Sequence, residues 1–217
     1  MYTITTLDRL KARLGLATSA DDGRLLAALQ AASAQIERGA GRRFCPYVAA
    51  IPHDIDASTP GELILADDLL ELTGLADASG DLDTANVLLL PGGESASILR
   101  RFDYTAFQWD VSREQAVTVT GVWGWHDDAA QMWRLSGDTL AGALDDTATA
   151  FTAADAGGAD IMGESPRFQV GHLLRIEGEY LRVLSVDTAT NTVTVLRGVN
   201  GTTAASHAAG TVVETYQ

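Results

Sequence analysis

The sequence predicts an α+β fold: an N-terminal helical hairpin packed on a mainly antiparallel β body, followed by a small C-terminal domain of barrel or sandwich type. Three observations carry this prediction. Apolar residues recur at helical spacing up to Ile36, the run Ala116–Trp123 alternates with period two, and the end of the chain holds short β runs separated by turn residues. The expected organisation is a helical hairpin over 1–45, a β-rich body over 46–145 and a small β domain over 146–217.

Thr6 is placed to cap a first helix, with Asp8 in its first turn and Leu7, Leu10 and Leu14 on one face; Gly15 supplies the stop. Ser19 opens a second helix with Asp22 three residues on, in the manner of a capping box. Leu25, Leu26, Leu29, Ala32 and Ile36 follow at helical spacing, and Gly39 and Gly41 end it. Ala27, Ala28, Ala31, Ser33 and Ala34 cover much of the remaining surface, which permits close approach by another helix. So small a hairpin must pack on something.

From Phe44 the pattern changes. Pro46, Pro52 and Pro60 exclude a long regular helix. β-compatible runs are expected over Gly61–Thr73, Asn86–Leu90, Ile98–Trp109 and Ala116–Trp125, broken by the acidic turn Asp77–Asp83 and by Gly92-Gly93. Residues 127–142 suit a short helix around Gln131–Leu135. Further strands are expected at Ala148–Ala153, at Leu174 and Ile176, over Tyr180–Val186, over Thr192–Leu196 and at Thr211–Val213, with a tight turn at Asn200-Gly201.

The chain has 217 residues, 46% hydrophobic and 20% charged, an ordinary globular composition. No apolar stretch is long enough to span a bilayer, and the start lacks the basic and apolar regions of a secretory signal. The picture is of a soluble, acidic protein made inside the cell. Its net charge of −14 opposes broad binding to duplex phosphate and to anionic membranes. The lone Cys45 excludes an internal disulfide and any multi-cysteine metal site, and reads as a small buried hydrophobe.

Chemistry-bearing patterns are sparse. His53, His126, His172 and His207 are far apart in sequence; the string His126-Asp127-Asp128 reads as a polar turn before it reads as a cation site. No nucleophile elbow occurs, and the glycine-rich strings lack the lysine of a phosphate loop. The pairs Asp67-Asp68, Asp127-Asp128 and Asp145-Asp146 place adjacent acids on opposite faces of a strand. No enzyme, cofactor or metal site is expected. One cluster stands out, Arg38, Arg42 and Arg43, at the end of the second helix and beyond it. These cations either complement a helix C-terminus or anchor an acidic protein partner or a DNA phosphate; Arg100-Arg101 raises the same question.

Three segments together resemble a known family. Thr6-Leu7-Asp8-Arg9-Leu10-Lys11 and the alanine-rich helix through Ile36-Glu37-Arg38 resemble the N-terminus of head–tail connector (adaptor) proteins of long-tailed bacteriophages. Asp67–Leu75 and Val119–Asp128 resemble the β region of such connectors, and Leu196–His207 is similar to a β-hairpin module of phage virion proteins. The resemblance implies a virion structural protein at the head–tail interface, made in the bacterial host cytoplasm. It implies a homo-oligomeric ring of twelve copies under the portal protein, with a tail or neck protein such as a stopper or tail terminator below. DNA would pass through it as cargo only, with no membrane contact. Twelve copies would carry roughly −168, which discourages DNA from sticking in a channel. On this resemblance Arg38, Arg42 and Arg43 contact the portal or a neighbouring subunit. Members often continue past the final hairpin into a helix that engages the portal, whereas this sequence stops at Gln217. The alternatives are another neck, tail or baseplate component, or a carbohydrate- or receptor-binding virion module using Trp109, Trp123, Trp125 or Trp133.

Overall fold

A computed structural model describes residues 3–102 and 105–216. Two helices open the chain, and two six-stranded antiparallel sheets follow, so the α+β class holds. Residues 1–39 and 132–217 form one compact unit, and residues 40–131 form the other.

In the first unit, α1 spans Leu7–Leu14 and α2 spans Asp22–Ala40. The Thr6 hydroxyl accepts the Arg9 N–H at 3.2 Å, capping α1, and Gly15 closes it in the left-handed region at φ 68°. The Thr6 side chain also donates to Gln169 Oε1, and the Leu7 N–H reaches the Val170 carbonyl. These bonds tie the helices to the C-terminal segment. The buried stripe is narrower than the sequence spacing suggests. Only Leu7 is buried on α1 and only Leu29 and Ser33 on α2, while Leu14 and Ile36 are more than half exposed.

The sheet of this unit contains β7 (Trp133–Thr139), β8 (Ala150–Thr152), β9 (Leu173–Ile176), β10 (Glu179–Asp187), β11 (Thr192–Leu196) and β12 (Val212–Tyr216). Their order is β7-β12-β9-β10-β11-β8. The two end strands meet at a single bridge, Leu140 with Ala153, so the sheet curls without closing into a barrel. Alternate residues Leu174 and Ile176, Leu181 and Val183, and Val193 and Val195 face one core with Phe151 and Phe168. Asn200, at φ 55°, and Gly201 make the expected turn. The helix expected around Gln131–Leu135 is instead one 3-10 turn, Ala129–Gln131, running into β7. This strand buries Ser136 and Asp138 and exposes Leu135, the reverse of an apolar alternation. Ser136 donates to the Val213 carbonyl at 2.6 Å, and Asp138 accepts the N–H groups of Thr139, Ala154 and Asp155.

The second unit contains β1 (Tyr47–His53), β2 (Glu62–Asp77), β3 (Gly80–Asp81), β4 (Val87–Leu90), β5 (Ala96–Arg101) and β6 (Val117–Trp123). The order is β1-β6-β2-β5-β4, with β3 paired to β2. The core gathers Leu63, Leu69 and Leu75 from β2, Leu99 from β5, Val117, Val119 and Trp123 from β6, and Phe107. Pro52 is tolerated because β1 is an edge strand, paired to β6 alone. The strand expected over Ile98–Trp109 ends at Arg101; residues 103 and 104 lie outside the described residues, as do residues 1, 2 and 217.

Gly121 sits where β6 crosses a bulge in β2, and a Cβ there would run into the Glu71 carbonyl oxygen. The backbone must shift to admit it. Gly121→Ala is expected to lower stability by about 1–3 kcal/mol, read as an earlier urea midpoint by circular dichroism.

Candidate functional site

The arginine cluster divides between the units. Arg38 lies exposed in the last turn of α2, where it complements the negative end of the helix. Arg42 and Arg43 follow the helix and belong to the second unit.

There the two arginines meet two adjacent carboxylates in the middle of β2. Arg42 Nε lies 3.5 Å from Asp68 Oδ2, and its guanidinium stands 5.7 Å from the Trp125 ring centre. Arg43 Nε lies 3.7 Å from Asp67 Oδ2, and its guanidinium stacks 4.6 Å above the Tyr47 ring. The Tyr47 hydroxyl donates to Asp67 Oδ2 at 2.8 Å. Backbone bonds lock the frame: the Trp125 N–H donates to the Arg43 carbonyl and the Gly124 N–H to the Asp68 carbonyl. Burial raises the Asp68 carboxyl above its ordinary value, and the nearby Arg42 charge opposes that rise. Burial, then the hydrogen bond to Asp67 and its charge, push the Tyr47 hydroxyl up to about 12. The Arg42 and Arg43 side chains remain roughly half exposed above these partners, so each has an outward donor surface as well as an internal role. Chemically this is an arginine–aromatic–carboxylate patch.

Sequence reasoning found the cations but not their partners. Asp67-Asp68 was readable only as a chance acidic pair, although two acids inside an otherwise apolar run were the available signal.

The other candidates resolve into structure. His126 Nδ1 accepts the Asp128 N–H and lies 3.4 Å from Asp127, a closed local turn. Among the described residues, no group of three His, Cys, Asp or Glu is placed to hold a metal ion. Trp123 is buried and donates to the Ala49 carbonyl, while Trp133 packs with Tyr180 and Tyr216. Trp109, 37% exposed, lies under the Arg113 guanidinium. Cys45 is buried.

The Leu196–His207 string folds around a residue the sequence did not single out, Glu179. Its buried carboxylate receives Arg197 Nε at 2.6 Å and Nη2 at 2.7 Å, the N–H groups of Gly198 and Ala205, and lies 2.9 Å from His207 Nε2. The remaining Arg197 donors take the carbonyls of Asp145, Ala148 and Ala205, so all five guanidinium N–H groups end on oxygen.

With this geometry established, the comparisons can be placed on it. Residues 4–64 match the family model described as Phage gp6-like head-tail connector protein. The likeness is to phage head–tail connectors. No curated protein and no solved structure matches the chain. The connector match covers α1, α2, all three arginines of the cluster, β1 and the first residues of β2. It includes the first of the three resembling segments; Asp67–Asp128 and Leu196–His207 lie beyond it. The connector family is structural in kind. No described helix is long and apolar enough to cross a membrane.

Burial would raise the Glu179 carboxyl, but the Arg197, Ala205, His207 and Gly198 hydrogen bonds outweigh it and hold the group at about 2, below its ordinary 4.5. Because the value falls on folding, the stabilisation is complete above the ordinary carboxylate range and is lost as pH falls toward about 2. Glu179→Gln is expected to cost about 3–5 kcal/mol at neutral pH by leaving Arg197 buried without its anion. Unfolding curves of the two proteins should converge in strong acid.

Proposed function

We propose that this chain is a virion structural protein, a head–tail adaptor that forms a ring between the portal and the tail or neck machinery. The family match over residues 4–64 carries this reading. Connectors join portal and tail components as oligomers, and the virion is their place of action. In the proposed assembly the ring holds twelve copies at the head–tail interface, and double-stranded DNA passes through its channel.

Two features of the chain support the proposal. The 19-residue α2 buries only Leu29 and Ser33, leaving a surface of Ala28, Ala32 and Ile36 fit for close packing. Residues 40–131 carry fifteen acids against five arginines, a charge balance that repels passing DNA. Arg38, Arg42 and Arg43 are the proposed contacts to the portal or to a neighbouring subunit, with acidic side chains as their targets.

Single-particle mass analysis of the protein, alone and mixed with its cognate portal ring, tests the role. A species gaining about twelve subunits is expected on the basis of electrostatic and packing complementarity. No association would refute the adaptor reading. Glutamine is the informative substitution at the arginines, because glutamate at 42 would set a like charge beside the buried Asp68. Arg42→Gln with Arg43→Gln is expected to weaken portal association about tenfold or more while the far-ultraviolet spectrum stays unchanged. Unaltered association would remove these residues from the contact.

A further inference from the structure

The sheet of the second unit ends in a strand whose sequence does not suit an edge. Strand β4 is Val87-Leu88-Leu89-Leu90, with no charge and no proline within it, and among the described residues it pairs only with β5. A continuous apolar run is the pattern of a strand covered on both faces and both sides, whereas edges are ordinarily protected by charge, proline or bulges. The sheet of the first unit, by contrast, brings its two ends together at Leu140 and Ala153. Among the described residues, strand β4 has no comparable closure.

Its side chains show the same incompleteness. Val87 and Leu89 pack on the core yet stay half-buried. On the other face Leu90 stands opposite Ile98, which stands opposite Ile64, giving a row of three aliphatic residues across three strands. Ile64 is 78% exposed.

We propose that β4 is the seam between copies of this chain and pairs with β1 of a second copy. Another strand's edge would match the backbone donors and acceptors of β4; on β1 Pro52 withholds one donor near the strand's end, so the proposed pairing runs through Val48 and Ala50. A ring needs a head-to-tail contact between two different surfaces of each subunit, and this sheet offers two different edges, β1 and β4. The faces agree. Tyr47, Ala49 and Ile51 pack on the core side, as Val87 and Leu89 do, so the core of one copy continues into the next. Val48, Ala50 and Pro52, half-buried or exposed, continue the row that ends at Leu88 and Leu90. With each neighbouring pair antiparallel, β1 and β4 run in the same direction, so a sheet passing from copy to copy joins them as a parallel pair.

This inference rests on the connector reading for the presence of several copies. Its test is crosslinking of the Leu88→Cys, Ala50→Cys double variant, with the native Cys45 replaced by alanine in every variant, by a short bifunctional thiol reagent in the full chain assembled on the portal ring. Both positions lie away from the core, and circular dichroism checks that each variant is folded. The double variant is expected to give a ladder of dimers, trimers and larger species on a denaturing gel, and neither single variant should do so. Dimers from Leu88→Cys alone would mean that β4 pairs with itself, overturning the proposal. No ladder from a variant that still assembles on the portal would overturn it while leaving the connector reading intact. Failure of the wild type to assemble at all would remove both.

Discussion

A chain with 29 acids and 15 basic residues can bury a carboxylate only where a cation or a set of N–H groups has been positioned to meet it. That constraint runs through both units. Glu179 is met by Arg197, Asp138 by Arg167 and three backbone N–H groups, Glu214 by Arg175, Glu62 by Arg100, and Asp67 and Asp68 by Arg43 and Arg42. Arginine is suited to this work because one planar group can bind a carboxylate and several carbonyls together, as Arg197 does. Lys11 is the chain's only lysine, and arginine makes every one of these pairings. Arg42, Arg43, Arg100, Arg167, Arg175 and Arg197 are engaged with the chain's own acids before any partner arrives.

The same constraint shapes how the arginine patch would work. An arginine already set against a carboxylate and stacked on an aromatic ring has lost much of its rotamer freedom, so a partner's acid meets a group that is already in place. Arg42 over Trp125 and Arg43 over Tyr47 are held in this way. The internal carboxylates also lower the net attraction that each arginine can offer, which favours geometric fit over simple charge. In the proposed assembly, acidic surroundings and fixed arginine forks together would suit a contact that recognises one protein surface without adhering to DNA.

The legibility of the fold followed the strength of the apolar period. Strand β11 and the first half of β6 alternate cleanly, because each has one face on a core, whereas β9 and the start of β10 are buried at consecutive positions and read as strands from their apolar, β-branched and aromatic content. Strand β7 was hidden because its inward positions are Ser136 and Asp138, whose cost is met by hydrogen bonds no local pattern reveals. Strand β1 was hidden by Pro46 and Pro52, which are compatible with a strand only at an edge, and edges are a property of the whole sheet. The candidate site was half legible for the same reason. Arg38, Arg42 and Arg43 stand out by adjacency, but Asp67, Asp68 and Tyr47 join them through pairing that spans more than twenty residues of chain in most cases. Glu179 had no signal at all, since its donors lie 18 to 28 residues away.

The family match takes in parts of both units. Residues 4–64 cross the division near residue 39: the helices belong to one unit, and β1 with the start of β2 belongs to the other. Strand β4 lies beyond the match. If β4 of one copy pairs with β1 of the next, each seam joins a connector-like element to one outside the matched segment. Backbone pairing tolerates such a combination, because its hydrogen bonds are made by groups every sequence possesses, while the side chains of β4 need supply only apolar cover. Specificity then falls to side chains that must match individually, and in the second unit the arginine–aromatic–carboxylate patch is the group of that kind best fixed in place.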